Sequence, residues 1–156
     1  MFGPTFEPKY VLVDGDIVAY RAGFSSEGKT SADAEDKVDE VMNFIASNTM
    51  SFPVPDRFHT FLTGADNFRF AIAKSYPYKG NRSKSEKPEY LQHSRDYLVS
   101  KYNAVVSYGE EADDLIAIAA TKFGPNTVVA SIDKDMLQIP CYHYNFGRDE
   151  WSQVDE

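Results

Sequence analysis

Two short apolar runs, each closed by acidic residues, constrain the fold of this chain more than any other feature. YVLVD at residues 10–14 and TVVASID at 127–133 lack the in-out alternation of a half-exposed strand. Continuous apolar runs of this length belong to strands covered on both faces, and in parallel sheets helices cover both faces. FHTFLTG (58–64), AVVS (104–107) and CYHYNF (141–146) read as further strands, the last of them followed only by the polar segment GRDEWSQVDE. Between the strands, Ala34, Val38, Val41, Phe44 and Ile45 fall at helical spacing within residues 33–49, and Leu91, Tyr97, Leu98 and Tyr102 form a looser helical pattern. A helix is expected from about Glu110, with Leu115, Ile116, Ile118 and Ala119 apolar, stopping at Gly124-Pro125. Met136 and Leu137 fall in a short turn or helix. Strands alternating with amphipathic helices predict an α/β fold, with a central mostly parallel sheet and helices on both faces. Ligands in such folds sit at the carboxyl ends of the strands.

The chain has 156 residues, 42% of them hydrophobic, which suits one domain over 1–156 with a well-buried core. It carries no apolar run of membrane-spanning length, and MFGPTFEPKY lacks the basic and apolar regions of a secretory signal, so a cytoplasmic protein is expected. Cys141 is the single cysteine, which excludes an intrachain disulfide and a thiolate metal cage. Net charge is -8, unlike a protein that coats nucleic acid by charge alone. Half of the 16 Lys and Arg residues nevertheless fall between Arg69 and Lys101, opposed there only by Glu86, Glu89 and Asp96. Carboxylates gathered around cations and a separate basic element for phosphates would produce such a split, as would a solvated charged helix. YPYKGNRSKSEKP (76–88) is basic and broken by Pro77, Gly80 and Pro88, and reads as a loop or arch over about 76–95.

Acids stand where a strand-end site is expected. Asp14 and Asp16 follow the first run, Asp66 follows the second, Glu111, Asp113 and Asp114 open a helix, and Asp133 and Asp135 follow TVVAS. Singly, each reads as a helix cap or a turn residue bonding its own backbone. Together they would repel one another strongly unless cations neutralised them. Oxygen ligands without a His/Cys cluster select Mg²⁺ or Mn²⁺ over zinc. Two such ions can activate water and stabilise both oxygens of an in-line phosphoryl displacement.

VDGDIVAYR, TGADNFR, YKGNR, GEEADD and SIDKD, in that order, resemble the motifs of the 5′-to-3′ exonuclease and flap endonuclease family, whose catalytic domain is PIN-like, with the bacteriophage exonucleases the nearest branch. The resemblance implies that Asp14, Asp66, Glu111 and Asp113 serve one metal ion, Asp133 and Asp135 a second, with Asp113 shared and Asp114 supporting either. It also implies that Lys79 and Arg82 act on the scissile phosphate at the base of a helical arch. Arg21, Arg69, Lys84 and Lys87 would bind nucleic acid beside them, although Arg21 and Arg82 read equally well as solvated cations. The implied substrate is DNA with a 5′ end or flap, or an RNA–DNA hybrid. In the family a further Asp motif and a helix-hairpin-helix region follow the last strand, and this sequence ends at WSQVDE before either. A truncated or split product is therefore expected, its second ion weakly held, with a separate chain supplying the rest.

Tyr76, Tyr78 and Tyr90 flank the basic segment and could stack on a base or pack in the core. His59 and His143 read as structural, and His93 as a backbone-phosphate contact. Asp16 lies outside the family's metal set and reads as a cap or a supporting acid. VDGDIV also fits the Asp-x-Asp start of haloacid-dehalogenase-like phosphatases, with Asp14 as nucleophile and Asp16 as general acid. That reading leaves Asp66, GEEADD and YKGNR unexplained. A PIN-like ribonuclease and an inactive nucleic-acid-binding fragment are the remaining alternatives.

Overall fold

Strand β1 (Tyr10–Asp14) forms the middle of the fold, paired in parallel with β2 (Phe58–Leu62) on one side and β4 (Thr127–Ala130) on the other. The computed structural model describes residues 9–49, 57–64, 88–108, 111–124 and 126–154. Helices α1 (Gly15–Ser25) and α2 (Ser31–Thr49) connect β1 to β2, and α3 (Leu91–Tyr102) precedes the two-residue strand β3 (Val105–Val106). Then come α4 (Ala112–Phe123), β4, a 3-10 helix (Lys134–Gln138), β5 (Tyr142–Asn145) and β6 (Glu150–Gln153). Among the described residues the strands form one sheet in the order β3-β2-β1-β4-β5-β6, parallel throughout except for the β5–β6 pair. The α/β class, the mostly parallel sheet and the strand positions read from the sequence are present.

Side chains alternate between the two faces along each strand, as the pleat requires. Val11, Val13, Leu62, Val128, Ala130 and Tyr144 join a core with α1, α2 and α3, while Leu12, Phe61, Val129 and Cys141 join a second core with α4 and Met136. The chain thus moves outward from β1 on one face and returns across to β4 on the other. Fixed crossover handedness links a reversal of direction to a change of face.

Helix α1 is an element that the sequence pattern did not disclose. Every residue from Gly15 to Tyr20 is buried, as are Ala22 and Gly23, because α1 packs against both α2 and α3. Helical turns buried all round, as from Gly15 to Tyr20, have no polar stripe and therefore no 3.6-residue signal. A Cβ at Gly15 would lie 2.6 Å from the Phe61 carbonyl oxygen, so the glycine that ends the first apolar run lets α1 begin against β2.

Strand β6 corrects the reading of CYHYNF as the last strand. The Asn145 side chain accepts from the N–H groups of Gly147 and Arg148, Asp149 takes φ 53°, and the chain reverses into an antiparallel hairpin. Trp151 then packs on Tyr144, ring centroids 5.1 Å apart. Two residues expected on apolar faces are exposed: Ile118 at 63% and Phe44 at 42%. On α4 the covered stripe is Ala112, Ile116 and Ala120, one step round from the expected one.

Candidate metal centre at the sheet switch point

The connections of β1 and β4 depart in opposite directions, to β2 and β5, so these two adjacent strands bound the switch point where a crevice opens at the carboxyl edge. Asp14 is the last residue of β1 and the N-cap of α1, 4% exposed. Ser131 follows β4, and its hydroxyl donates to Asp14 Oδ2 at 2.9 Å while accepting the Asp133 N–H at 3.1 Å. Burial, and then the charges of Asp16 and Asp133, push the Asp14 carboxyl up to about 8, against the Ser131 hydrogen bond that favours the ionised form. Two of the predicted strand-end acids, Asp16 and Asp133, therefore act on a third, Asp14, at this edge.

Asp16 is also buried, and burial raises its carboxyl above the ordinary range despite several charge-stabilising contacts. It accepts from the Thr63 N–H at 3.0 Å and from the Thr63 hydroxyl, and pairs with Arg95 at 3.0 Å. Its expected role as a supporting acid is consistent with this, but it does not cap its own helix: Asp14 holds that position. The general-acid role that a phosphatase would ask of Asp16 has no room here, because both its oxygens are held by Thr63 and Arg95.

Glu111 is the N-cap of α4, and Asp113 and Asp114 lie in its first turn, where the helix dipole favours negative charge. The Asp114 carboxylate accepts from the Glu111 N–H at 3.4 Å, one arm of a capping box, so this acid works on its own helix. Asp113 is half-buried and Asp114 exposed. Asp133 caps the 3-10 helix, accepting from the Asp135 N–H at 2.9 Å, and Asp135 is exposed. Gly64, just past β2, lets that edge close on β3: its N–H donates to Ser107 Oγ at 2.8 Å, and a Cβ there would stand 2.3 Å from the Ser107 carbonyl oxygen.

Among the described residues no three His, Cys, Asp or Glu side chains are grouped closely enough to hold an ion by themselves. Asp66, which the motif resemblance puts in the same set, lies outside the described residues, as do Arg69, Lys79, Arg82, Lys84 and Lys87 and most of the expected arch. Residues 91–95, at the far end of that arch, form the first turn of α3. The donor chemistry fits a hard divalent cation: the side chains are carboxylates, and Asp14 is destabilised as an anion by its burial and its neighbours.

Of the other predicted contacts, Arg21 is half-buried with its guanidinium 5.8 Å from the Phe146 ring centroid. His93 pairs with Glu35 at 2.7 Å, and the Tyr90 hydroxyl donates to the Lys29 carbonyl. His143 is buried with Nε2 2.8 Å from the Ile139 carbonyl oxygen, and His59 stacks with Phe123. Sequence reasoning missed Ser131 and Arg95, and gave Thr63 only a later role in the phosphatase alternative. Ser131 and Thr63 lie inside the quoted motifs, next to the acids, and position was the only available signal. Arg95 was one basic residue among eight and had none.

No curated protein matches the chain at significant similarity. Among solved structures, a bacteriophage T5 flap endonuclease in a product-type complex with DNA and metal ions shares the fold with a TM-score of 0.58 and 12% identity, over 92% of this chain and 57% of that one. The T5 5′-exonuclease with bound zinc gives 0.58 at 15% identity over 92% and 57%, and a point mutant of that exonuclease gives 0.55 at 15% over 94% and 53%. The chain spans little more than half the length of these proteins. Residues 9–151 match the family described as 5′-3′ exonuclease, N-terminal resolvase-like domain, and the chain belongs to that family.

Proposed function

We propose that this chain is the catalytic part of a divalent-metal-dependent nuclease that hydrolyses DNA phosphodiesters at or near a 5′ end, as an exonuclease or a flap endonuclease. The observation that carries this reading is the meeting of Asp14 and the Asp133 backbone on one hydroxyl, Ser131, at the switch point of a chain in this family. Asp14, Asp66, Glu111 and Asp113 would hold one Mg²⁺ or Mn²⁺, and Asp133 with Asp135 a second. A bound pair of such ions supplies an activated water and neutralises charge on the attacking and leaving oxygens of an in-line displacement.

The chain's own groups do the rest. Ser131 orients the Asp14 carboxylate, and α4 presents Glu111 and Asp113 at its positive end. Lys79 and Arg82 would contact the scissile phosphate, where charge grows in the transition state. Arg21, Arg69, Lys84 and Lys87 would hold the flanking backbone, and the 5′ strand would pass the basic segment. DNA is the favoured substrate because the T5 flap endonuclease was solved with DNA. The RNA strand of a hybrid is the second substrate to assay.

The test is cleavage of 5′-labelled duplex, flap and RNA–DNA hybrid by the 156-residue chain with Mg²⁺ or Mn²⁺, beside Asp113→Asn. Metal-dependent products that disappear in the variant support the reading, and undiminished cleavage by Asp113→Asn would overturn the ligand assignment.

A further inference from the structure

Below the acidic edge lies a buried polar cluster, Asp16, Thr63 and Arg95, to which the nuclease reading assigns no ligand or substrate contact. Thr63, fully buried just past β2, uses every polar atom it has. Its N–H donates to Asp16 at 3.0 Å, its hydroxyl donates to the same carboxylate, and its carbonyl oxygen accepts from the Arg95 guanidinium. Its Oγ also accepts the Ala112 N–H at 2.8 Å. Ala112 is the first residue of α4, between Glu111 and Asp113, and Asp16 is two residues beyond Asp14. One hydroxyl thus joins the element that carries Asp14 to the element that carries Glu111 and Asp113.

Arg95 completes the cluster from α3, at 7% exposure. Its two terminal nitrogens go to different acceptors, Asp16 Oδ1 and the Thr63 carbonyl, a division that the planar fork of arginine allows and a lysine ammonium does not reproduce. Its positive charge partly offsets that of Asp16 beneath Asp14. A buried network with each member satisfied is rigid, and rigidity is what a ligand set needs from the residues behind it.

We propose that Thr63 is a positioning residue of the metal centre, its hydroxyl setting where Glu111 and Asp113 stand relative to Asp14, with Asp16 and Arg95 fixing its orientation. This rests on the metal-dependent reading above.

The test is Mn²⁺ binding by titration calorimetry to the 156-residue chain and to Thr63→Val, Thr63→Ser and Arg95→Gln, each checked for folding by circular dichroism. Thr63→Val keeps the shape and loses the hydroxyl, and its Mn²⁺ affinity falls about 10- to 100-fold, the usual effect of removing a group behind the ligands. Thr63→Ser restores the hydroxyl and binds like the unsubstituted chain. Arg95→Gln distinguishes position from charge. Removing a cation near the site strengthens Mn²⁺ binding if Arg95 acts by Coulomb repulsion alone, and weakens it if Arg95 holds Thr63 in place. Thr63→Val that binds normally, or Thr63→Ser as weak as Thr63→Val, overturns the proposal while leaving the metal centre standing. If Thr63→Val fails to fold, the sign of the Arg95→Gln effect decides. No Mn²⁺ binding by the unsubstituted chain overturns the metal reading and this proposal with it.

Discussion

The Ser131 hydroxyl donates to the Asp14 carboxylate at 2.9 Å, joining the ends of two adjacent strands from positions 117 residues apart. The same oxygen accepts the Asp133 N–H, so Ser131 sets the spacing of two proposed ligands at once. Ser131→Ala removes both contacts with little change in volume. We expect its Mn²⁺ affinity to fall roughly 10-fold or more, as for other groups that orient ligands, with cleavage falling in parallel. Calorimetry beside the cleavage assay checks this, and a variant that binds and cuts normally would reduce Ser131 to a strand-end turn residue.

The raised Asp14 carboxyl makes metal-free stability depend on pH. The folded state holds this proton up to about pH 8, whereas the unfolded chain releases it near the ordinary value of 3.8. The folded protein therefore binds more protons across that window, and this contribution to stability, complete at low pH, is lost as pH rises through about 8. Asp14→Asn removes the repelling charge, so in EDTA at pH 8 its Tm should exceed that of the unsubstituted chain by roughly 2–4 °C for each kcal/mol regained. Mg²⁺ should raise the Tm of the unsubstituted chain more at pH 8 than at pH 5.5, because protons compete for the ligand. Thermal unfolding in EDTA and in excess Mg²⁺ measures both effects, and a lower metal-free Tm for Asp14→Asn would contradict the repulsion.

His143 titrates with the opposite sense. Burial holds its imidazole below the ordinary 6.5, against the Ile139 carbonyl contact that favours the charged ring. The unfolded chain takes up a proton near pH 6.5 while the folded state resists, so stability present above 6.5 is lost as pH falls through the folded value. Denaturant unfolding between pH 7 and pH 5 should show a shallower loss for His143→Gln than for the unsubstituted chain. Equal slopes would show that His143 contributes nothing to acid sensitivity.

Gly15→Ala tests the joint between β1 and α1. Its added methyl would meet the Phe61 carbonyl oxygen at 2.6 Å and the Thr60 methyl at 2.9 Å, and the Phe61 backbone, held in β2, limits relaxation. A cost of about 1–3 kcal/mol in urea unfolding is expected, the usual range for overpacking a core. No loss would mean that α1 can slide away from β2, and the site with it.

Local composition carried much of the architecture. YVLVD and TVVASID are β1 and β4 with their following acids, because a strand buried on both faces has to be apolar throughout. Gly124 closes α4 as expected of a helix stop. What composition hid was structure defined by distant partners. Helix α1 left no amphipathic signal because its first turns are covered on every side, and β6 looked like a polar tail because it lies at the sheet edge, paired with β5.

The fold class, the positions of most strands, the gathering of acids after them and the family to which the motifs point were legible in the chain alone. Each depends on residue type and order, which short-range periodicity and motif spacing preserve. The tertiary structure decided which acids sense one another, that Asp16 is bound to Arg95 across 79 positions, and that Thr63 ties β2 to the start of α4. Contacts between residues so far apart leave no periodic trace in the chain, because they arise only when the sheet order brings β1, β2 and β4 side by side.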